Sequence, residues 1–377
     1  MEAWTGTVEM YFVKVCGLGA ARMSPEYRSS LCSAGCVPEW LSEDVVYTRR
    51  LRHANSTRST YRNGYMSYVR FMQRYFPRRP LLPATDQMIS LWFEFQKASC
   101  CANTLRLYYY CVGSAHADHL LPFPPLKQSM MAYQTWQGIR REKGDIIKRA
   151  HAIRVPDLWR LAAIVKSRAT RLSAREVDND QAVWAGILLG FSGLLRKSTI
   201  CGPQGLRRHD LEFVRRDGVT TLWVTVRHSK TIQFRQKVHR FPVPAVKSEL
   251  CAVSAVLRHL LAAPAAPEQA VFMWRPARGA AVPMSHNVFV ARMRLLLSEA
   301  GLEPDIYTGH SLRRGGATLA FELGDGAAWD RRVKEHGDWG SDVVFQYHEI
   351  SDDTRMQLPS RMAAAMARPG GLLLRVG

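Results

Sequence analysis

The sequence predicts a two-part, mainly α-helical protein with a small antiparallel β-sheet in its second part. Three observations predict it. Four amphipathic stretches between Ser56 and Gln137 repeat apolar side chains at helical spacing, with prolines at their joints. Near Leu211 the period switches to three short β-rich runs, and after Ala280 it returns to helical. A chain of 377 residues, 47% of them apolar, is also long enough to bury more than one core.

Residues 1–45 have no clear period and receive no assignment. Residues 46–150 are expected to form the first domain. Its opening helix carries Tyr61, Tyr65, Tyr68, Val69, Met72 and Phe76 at helical spacing, and Pro77 and Pro80 stop it. Thr85-Asp86 offers a cap for a second helix with Met88, Leu91, Trp92 and Phe95 as its apolar face. A third begins near Asn103 and presents Leu105, Tyr108, Tyr109 and Val112. After Pro122, Pro124 and Pro125, a fourth runs from Leu126 through Met130, Tyr133 and Gln137. Cys100, Cys101 and the Tyr108–Tyr110 triplet are expected in the core. The polar, basic stretch Gly138–Ile153, ending before Pro156, reads as the linker.

The second domain is expected over residues 151–360, with 361–377 as a tail. It opens with helical sequence that includes the buried-looking run Val183–Leu195. Leu211–Val214, Val219–Val226 and Val238–Val243 read as strands, and Arg216-Asp217-Gly218 as the turn between the first two. Ser285 can cap a following helix that stops at Gly301.

Charge narrows the partners. Lys and Arg number 52 against 32 Asp and Glu, a formal net charge of +20 with a pI of about 10.0. Such a surface concentrates phosphates, so nucleic acid is the first partner to consider and an anionic membrane the second. The longest apolar stretch, Ala182–Leu195, falls short of the roughly 20 residues that span a bilayer. The N-terminus carries Glu2 and Glu9 and lacks the positive start of a secretory signal. We therefore expect a soluble, intracellular protein without a membrane role, whose eight cysteines are reduced thiols.

Three nucleotide and metal patterns fail on inspection. Gly190–Ser198 ends in Lys197-Ser198, but a phosphate loop needs Gly where Arg196 stands, and its first Gly would fall on Phe191. Cys32 and Cys36 have loose metal-ligand spacing with no second Cys/His pair, and Glu335-His336 lacks the second His of a zinc helix. Neither a cofactor nor a metal is expected.

One stretch stands out: His310-Ser311-Leu312-Arg313-Arg314-Gly315-Gly316. On a helix, residues three apart share a face. Thr308-Gly309 would set His310 and Arg313 at the helix N-terminus, where an anion is favoured. An imidazole beside a guanidinium fork there makes a phosphate clamp. Taken alone, the motif reads better as a solvated basic turn. Its company includes Arg196 in Gly193-Leu194-Leu195-Arg196-Lys197-Ser198, Lys230 in the turn between two predicted strands, Gly337-Asp338-Trp339-Gly340-Ser341-Asp342, and Tyr347. Each has a plainer reading. Arg196 can be a snorkelling helix end. Lys230, with Arg227, Arg235 and Lys237 nearby in sequence, can belong to a solvated hairpin that touches a DNA backbone, and Tyr347 can be core.

Taken in order, the set resembles the tyrosine recombinases, the phage-integrase-like family. The phrases HSLRRGGAT and GxWxSD followed by Tyr are those of recombinases from crypton- and DIRS-type mobile elements. The resemblance spans roughly residues 46–360. It implies a helical core-binding domain and a catalytic recombinase domain that together form a basic clamp around double-stranded DNA. It implies strand breakage and rejoining through a 3′-phosphotyrosyl intermediate, for integration or excision, by a homo-oligomer (dimer or tetramer) on DNA. In a eukaryote the protein would act in the nucleus.

Carried over residue by residue, the resemblance makes Arg196, Lys230, His310, Arg313, Trp339 and Tyr347 the catalytic set. Arginines hold the non-bridging oxygens, Lys230 protonates the leaving oxygen, and Tyr347 attacks. His310 accepts the tyrosine proton or hydrogen-bonds the phosphate. Two positions depart from the pattern. Thr199 stands where the family has an acid. Asp338 occupies, on strict spacing, the place of the family's His or Trp, with Trp339 immediately after it. A catalytically inactive DNA-binding relic and a type IB topoisomerase-like relaxing enzyme are the competing readings.

If the charge serves DNA, affinity for a random duplex should fall steeply with salt as counterions are released. Titration across salt concentrations should give a steep log–log slope, and a flat one would remove that argument.

Overall fold

A computed structural model describes residues 39–144 and 149–348 apart from 233, 235 and 325, together with 355–356 and 359–363. The expectations for Cys16, Cys32, Cys36 and most of the tail lie outside the described residues. The chain divides into two compact units, Met1–Ile146 and Ile147–Gly377.

The first unit is all helical: α1 (Glu39–Arg50), α2 (Asn55–Tyr75), α3 (Asp86–Gln96), α4 (Ala102–Asp118) and α5 (Met130–Lys143). Thr85 caps α3 by accepting a hydrogen bond from the Met88 amide at 3.3 Å. The Asp86 carboxylate reaches across to the open N-terminus of α5, accepting from the amides of Met131 (2.8 Å) and Ala132 (2.9 Å). Tyr68, Trp92, Phe93, Leu105, Tyr109 and Trp136 fill the core, and the Trp136 indole donates to the Ala102 carbonyl at 2.7 Å.

Several sequence expectations are corrected here. The buried face of α3 is Met88, Ile89, Trp92 and Phe93, while Leu91 and Phe95 are exposed. The stretch is apolar nearly all round, so its period does not fix the phase. Cys100 and Cys101 lie between α3 and α4, half-buried and exposed respectively, rather than in the core. Tyr110 and Met130 are exposed. The fourth helix starts at Met130 after a single 3-10 turn over Leu126–Gln128. The expected linker is shorter than 138–153, because α5 continues to Lys143 and Ala152 and Ile153 are fully buried. Helix α1 begins inside the stretch that showed no period.

The second unit contains α6 (Val155–Ala169), α7 (Ala174–Ser192), the short α8 (Lys197–Ile200), β1 (Leu211–Arg216), β2 (Val219–Val226) and β3 (His239–Pro244). It continues with α9 (Ala252–Ala262), a small β4–β5 ribbon (Met273–Trp274, Val282–Pro283), α10 (His286–Glu299), α11 (Ser311–Glu322) and α12 (Ala327–His336). Strands β1, β2 and β3 form an antiparallel sheet in that order, with Leu211 opposite Val224 and Thr221 opposite Pro244. Asp217 and Gly218 both take positive φ (49° and 78°), the backbone that a two-residue hairpin turn needs. Ser285 caps α10, and Gly301 (φ 73°) follows its end.

Helix α7 is the axle of this unit. Every residue from Ala182 to Phe191 is buried, and α6, α9, α10 and α11 all pack on it. Helix α11 comes closest. A Cβ on Gly315 would lie 1.8 Å from the Ile153 carbonyl oxygen, and one on Gly316 would lie 2.2 Å from that of Phe191. The Gly-Gly pair is therefore a packing requirement, bringing α11 backbone to backbone against its neighbours. Among the described residues, no helix is long and apolar enough to cross a membrane.

Gly315→Ala should force these backbones apart and cost about 1–3 kcal/mol or more. A urea titration of the Ala variant should show a clearly lower midpoint, and an unchanged midpoint would refute the close approach.

Candidate active site

Two helix ends create the floor of the site. Helix α7 stops at Ser192, and Leu194 then turns left-handed (φ 50°), with the Leu195 amide bonding back to the Gly190 carbonyl at 2.9 Å. Arg196 therefore lies beyond the apolar helix and N-caps α8, instead of ending the helix as the sequence suggested. Helix α12 ends at Gly337. There the Trp339 amide donates to the Lys334 carbonyl (2.9 Å) and the Asp338 amide to the Glu335 carbonyl (3.2 Å), with Asp338 left-handed at φ 53°.

Arg313 joins the two ends. It lies in the first turn of α11 and is only 2% exposed. One guanidinium nitrogen donates to the Leu194 carbonyl, and the other donates to the Gly337 carbonyl at 2.8 Å. Its flat face lies 3.6 Å from the centre of the Trp339 ring, and the Tyr347 ring centre is 5.6 Å away. The Trp339 and Tyr347 rings meet edge to face, 5.4 Å apart. Two buried donors in this group, Arg313 Nε and Trp339 Nε1, have no hydrogen-bond partner. Burial and the nearby Arg196 push the Arg313 pKa down, against the pull of Tyr347 and Asp338. A guanidinium nevertheless stays charged at neutral pH.

Tyr347 is half-buried at the end of a 3-10 turn over Asp342–Gln346. Its amide donates to the Val344 carbonyl at 2.8 Å, and its own carbonyl accepts the Thr318 hydroxyl at 3.2 Å, which ties it to α11.

His310 is the N-cap residue of α11. The sequence placed it on one face with Arg313, but its surface is exposed while Arg313 turns inward. Its pKa is lowered by desolvation of the ring and then by four cations: Lys197, Arg196, Arg313 and Lys230. These four long-range effects locate the convergence. Arg196, Lys230 and Arg313, drawn from three separate segments, all act on His310, with Trp339 and Tyr347 beside Arg313. Lys197 was not singled out from the sequence. Gly309 makes room for it, since a Cβ there would meet the Lys197 stem at 2.3 Å.

Lys230 is exposed at the tip of the β2–β3 connection, where the Ser229 and Thr231 hydroxyls lie 2.9 Å apart. Thr199 is buried, and its carbonyl accepts the Leu206 amide at 2.9 Å. Among the described residues, no group of three or more His, Cys, Asp or Glu is placed to hold a metal ion.

No protein-family model matches the chain, and no curated protein matches its sequence. Solved structures do match. The chain is similar to XerH site-specific recombinase bound to palindromic difH substrate (12% identity, TM-score 0.51, covering 81% of this chain and 79% of that one). It is similar to a lambda integrase dimer bound to a COC' core site (14%, 0.51, 94% and 87%). It is also similar to the Tn1549 transposon integrase in complex with transposon right end DNA (12%, 0.51, 84% and 98%). At such low identity the likeness establishes the architecture: the chain has the tyrosine-recombinase fold, mostly helical with small antiparallel sheets.

The depressed His310 midpoint has a direct test. Histidine-ring NMR should place it below the ordinary value of about 6.5, and Lys197→Met should move it up. Because the folded-state value is lowered, the stability that the neutral ring contributes is present above about pH 6.5 and is lost as the pH falls through the folded midpoint. A midpoint at or above the ordinary value, or one that ignores Lys197, would contradict the cationic cluster.

Proposed function

We propose that this chain is a tyrosine recombinase that breaks and rejoins double-stranded DNA, using Arg196, Lys230, His310, Arg313, Trp339 and Tyr347. One observation carries the reading. A buried arginine is held by two backbone carbonyls beside a tyrosine, with its Nε and the neighbouring indole N–H unpartnered. Such a group is complete only with an anion, and a phosphodiester supplies one with an electrophilic centre next to the phenol.

The chemistry follows from the residue types. Tyr347 Oη forms a bond to phosphorus as the bond to the 5′ oxygen breaks. Lys230 gives that oxygen a proton, and the phenol proton passes to His310, whose lowered pKa keeps it neutral and receptive. Arg196 and Arg313 offset the charge that develops on the non-bridging oxygens, in place of a metal ion. The P–O bond is exchanged rather than hydrolysed, so no ATP is needed and the reverse reaction reseals the strand. A phenol ordinarily titrates near 10, so the attacking oxygen must give up its proton as its bond to phosphorus forms.

In this reading residues 46–150 are the core-binding domain and 151–360 the catalytic domain. The DNA-bound states of the similar lambda integrase, a dimer on a core site and a tetramer on a Holliday junction, support duplex DNA and further copies of this chain as partners. The likeness of HSLRRGGAT to mobile-element recombinases supports integration or excision of such an element, in the nucleus if the host is eukaryotic.

A nicked suicide duplex carrying the ends of the encoding element tests this, because its short leaving fragment diffuses away and strands the intermediate. In EDTA, the protein should accumulate on the 3′ phosphate and release a free 5′ hydroxyl. Tyr347→Phe should keep DNA affinity and abolish the adduct. An adduct that persists with Phe identifies another nucleophile. No adduct with the unmutated protein favours the DNA-binding relic that Thr199 suggests, and dependence on magnesium favours a carboxylate nuclease.

A further inference from the structure

We propose that Asp338 is a positioning residue that holds the Lys230-bearing connection against the Arg313–Trp339 end of the site. The inference rests on the reading of Lys230 as the proton donor. Asp338 occupies the left-handed position after the end of α12, where the two backbone bonds to Lys334 and Glu335 form the helix-stop pattern that ordinarily takes Gly. A side chain at such a position must earn its place, and this one turns inward. Its carboxylate is buried and accepts the Thr231 hydroxyl on one oxygen and the Lys237 ammonium on the other.

Both donors follow Lys230 in the β2–β3 connection. That connection has further anchors: Arg227 donates to Asp210 at 2.8 Å, Ile232 is buried, and the Gln236 amide donates to the Thr231 carbonyl at 2.8 Å. Asp338 links it to the segment whose preceding carbonyl holds Arg313 and whose next residue is Trp339, and His239, where β3 begins, adds a contact to the His336 carbonyl at 3.1 Å. Burial alone would raise the Asp338 pKa, but the two hydrogen bonds and the charge of Lys237, with His239 beyond, hold it below the usual carboxylate range. One carboxylate thereby fixes the distance between the proton donor and the arginine that binds the same phosphate. No acid is available at Thr199 to brace this side of the site.

Two measurements test this, one of them free of catalysis. In the unliganded full-length protein, Asp338→Asn, Asp338→Gly and Thr231→Val should each speed tryptic cutting within residues 227–238 while cutting elsewhere is unchanged. Gly suits the backbone at 338, so that variant should fold. Unchanged cutting in all three would overturn the tether. Cleavage of the suicide duplex is then compared with that of a duplex whose leaving 5′ oxygen is replaced by sulfur, a group that departs without help from an acid. Lys230→Ala should lose about 10²–10⁴-fold on oxygen and recover on sulfur. The Asp338 variants should lose up to about a hundredfold on oxygen and recover on sulfur in the same way. Rescue of Lys230→Ala with no rescue of the Asp338 variants would make Asp338 merely structural and overturn the proposal. Failure to rescue Lys230→Ala would overturn the proton-donor reading first, and the positioning role with it.

Discussion

A guanidinium with no carboxylate bonded to it, buried under α11, is the constraint around which the second unit is organised. Removing such an ion from water costs several kcal/mol. Arg313 recovers part of that from two carbonyls, each at or just beyond the C-terminal end of a helix, where the helix dipole is negative and favours a cation. The faces of Trp339 and Tyr347 supply more, since a desolvated cation over an aromatic ring is worth about 2 kcal/mol. Neither source offers a full counter-charge. The arginine is tolerated rather than neutralised, and its Nε is left without a hydrogen-bond partner.

Two backbone irregularities of this unit, with a pair of close-packed glycines, serve that placement. Leu194 turns left-handed, which aims its carbonyl at Arg313 instead of continuing α7. Asp338 turns left-handed after Gly337, whose carbonyl performs the same task from the other side. Gly315 and Gly316 let α11 settle against Ile153 and Phe191, deep enough for an arginine in its first turn to reach both carbonyls. Non-glycine residues in the left-handed region cost roughly 1–2 kcal/mol each, and such strain collects where function requires an exact geometry.

Much of this was legible in the sequence, for identifiable reasons. The helices with a polar face, the β2 strand, its hairpin turn and the Ser285 cap are local signals, and they read correctly. The phase of α3 did not, because a segment apolar on nearly every side has no moment to read. Helix α1 was hidden by a sequence of low periodicity. At the site, the contiguous His310–Gly316 phrase announced itself, but the sequence could not say that Arg313 turns inward while His310 stays at the surface. That outcome depends on carbonyls contributed from positions 194 and 337. The role of Asp338 was less visible still. Read by spacing, it marked a departure from a family pattern. Its partners, Thr231 and Lys237, stand about a hundred residues earlier and meet it only in the folded chain.

The electrostatics of the assembled site explain why its parts come from separate segments. Arg196, Lys197, Lys230 and Arg313 all depress His310, and Arg196 also depresses Arg313. On one flexible loop, like charges at this density would drift apart, since each costs the others energy with no anion present. Rigid elements prevent the drift: α11 seated on glycines, α8 set by the turn after α7, and the β2–β3 connection tied back through Asp338. Under the proposed function, a phosphate entering the site would meet donors that need no reorganisation, with charge stabilisation in place before the reaction begins.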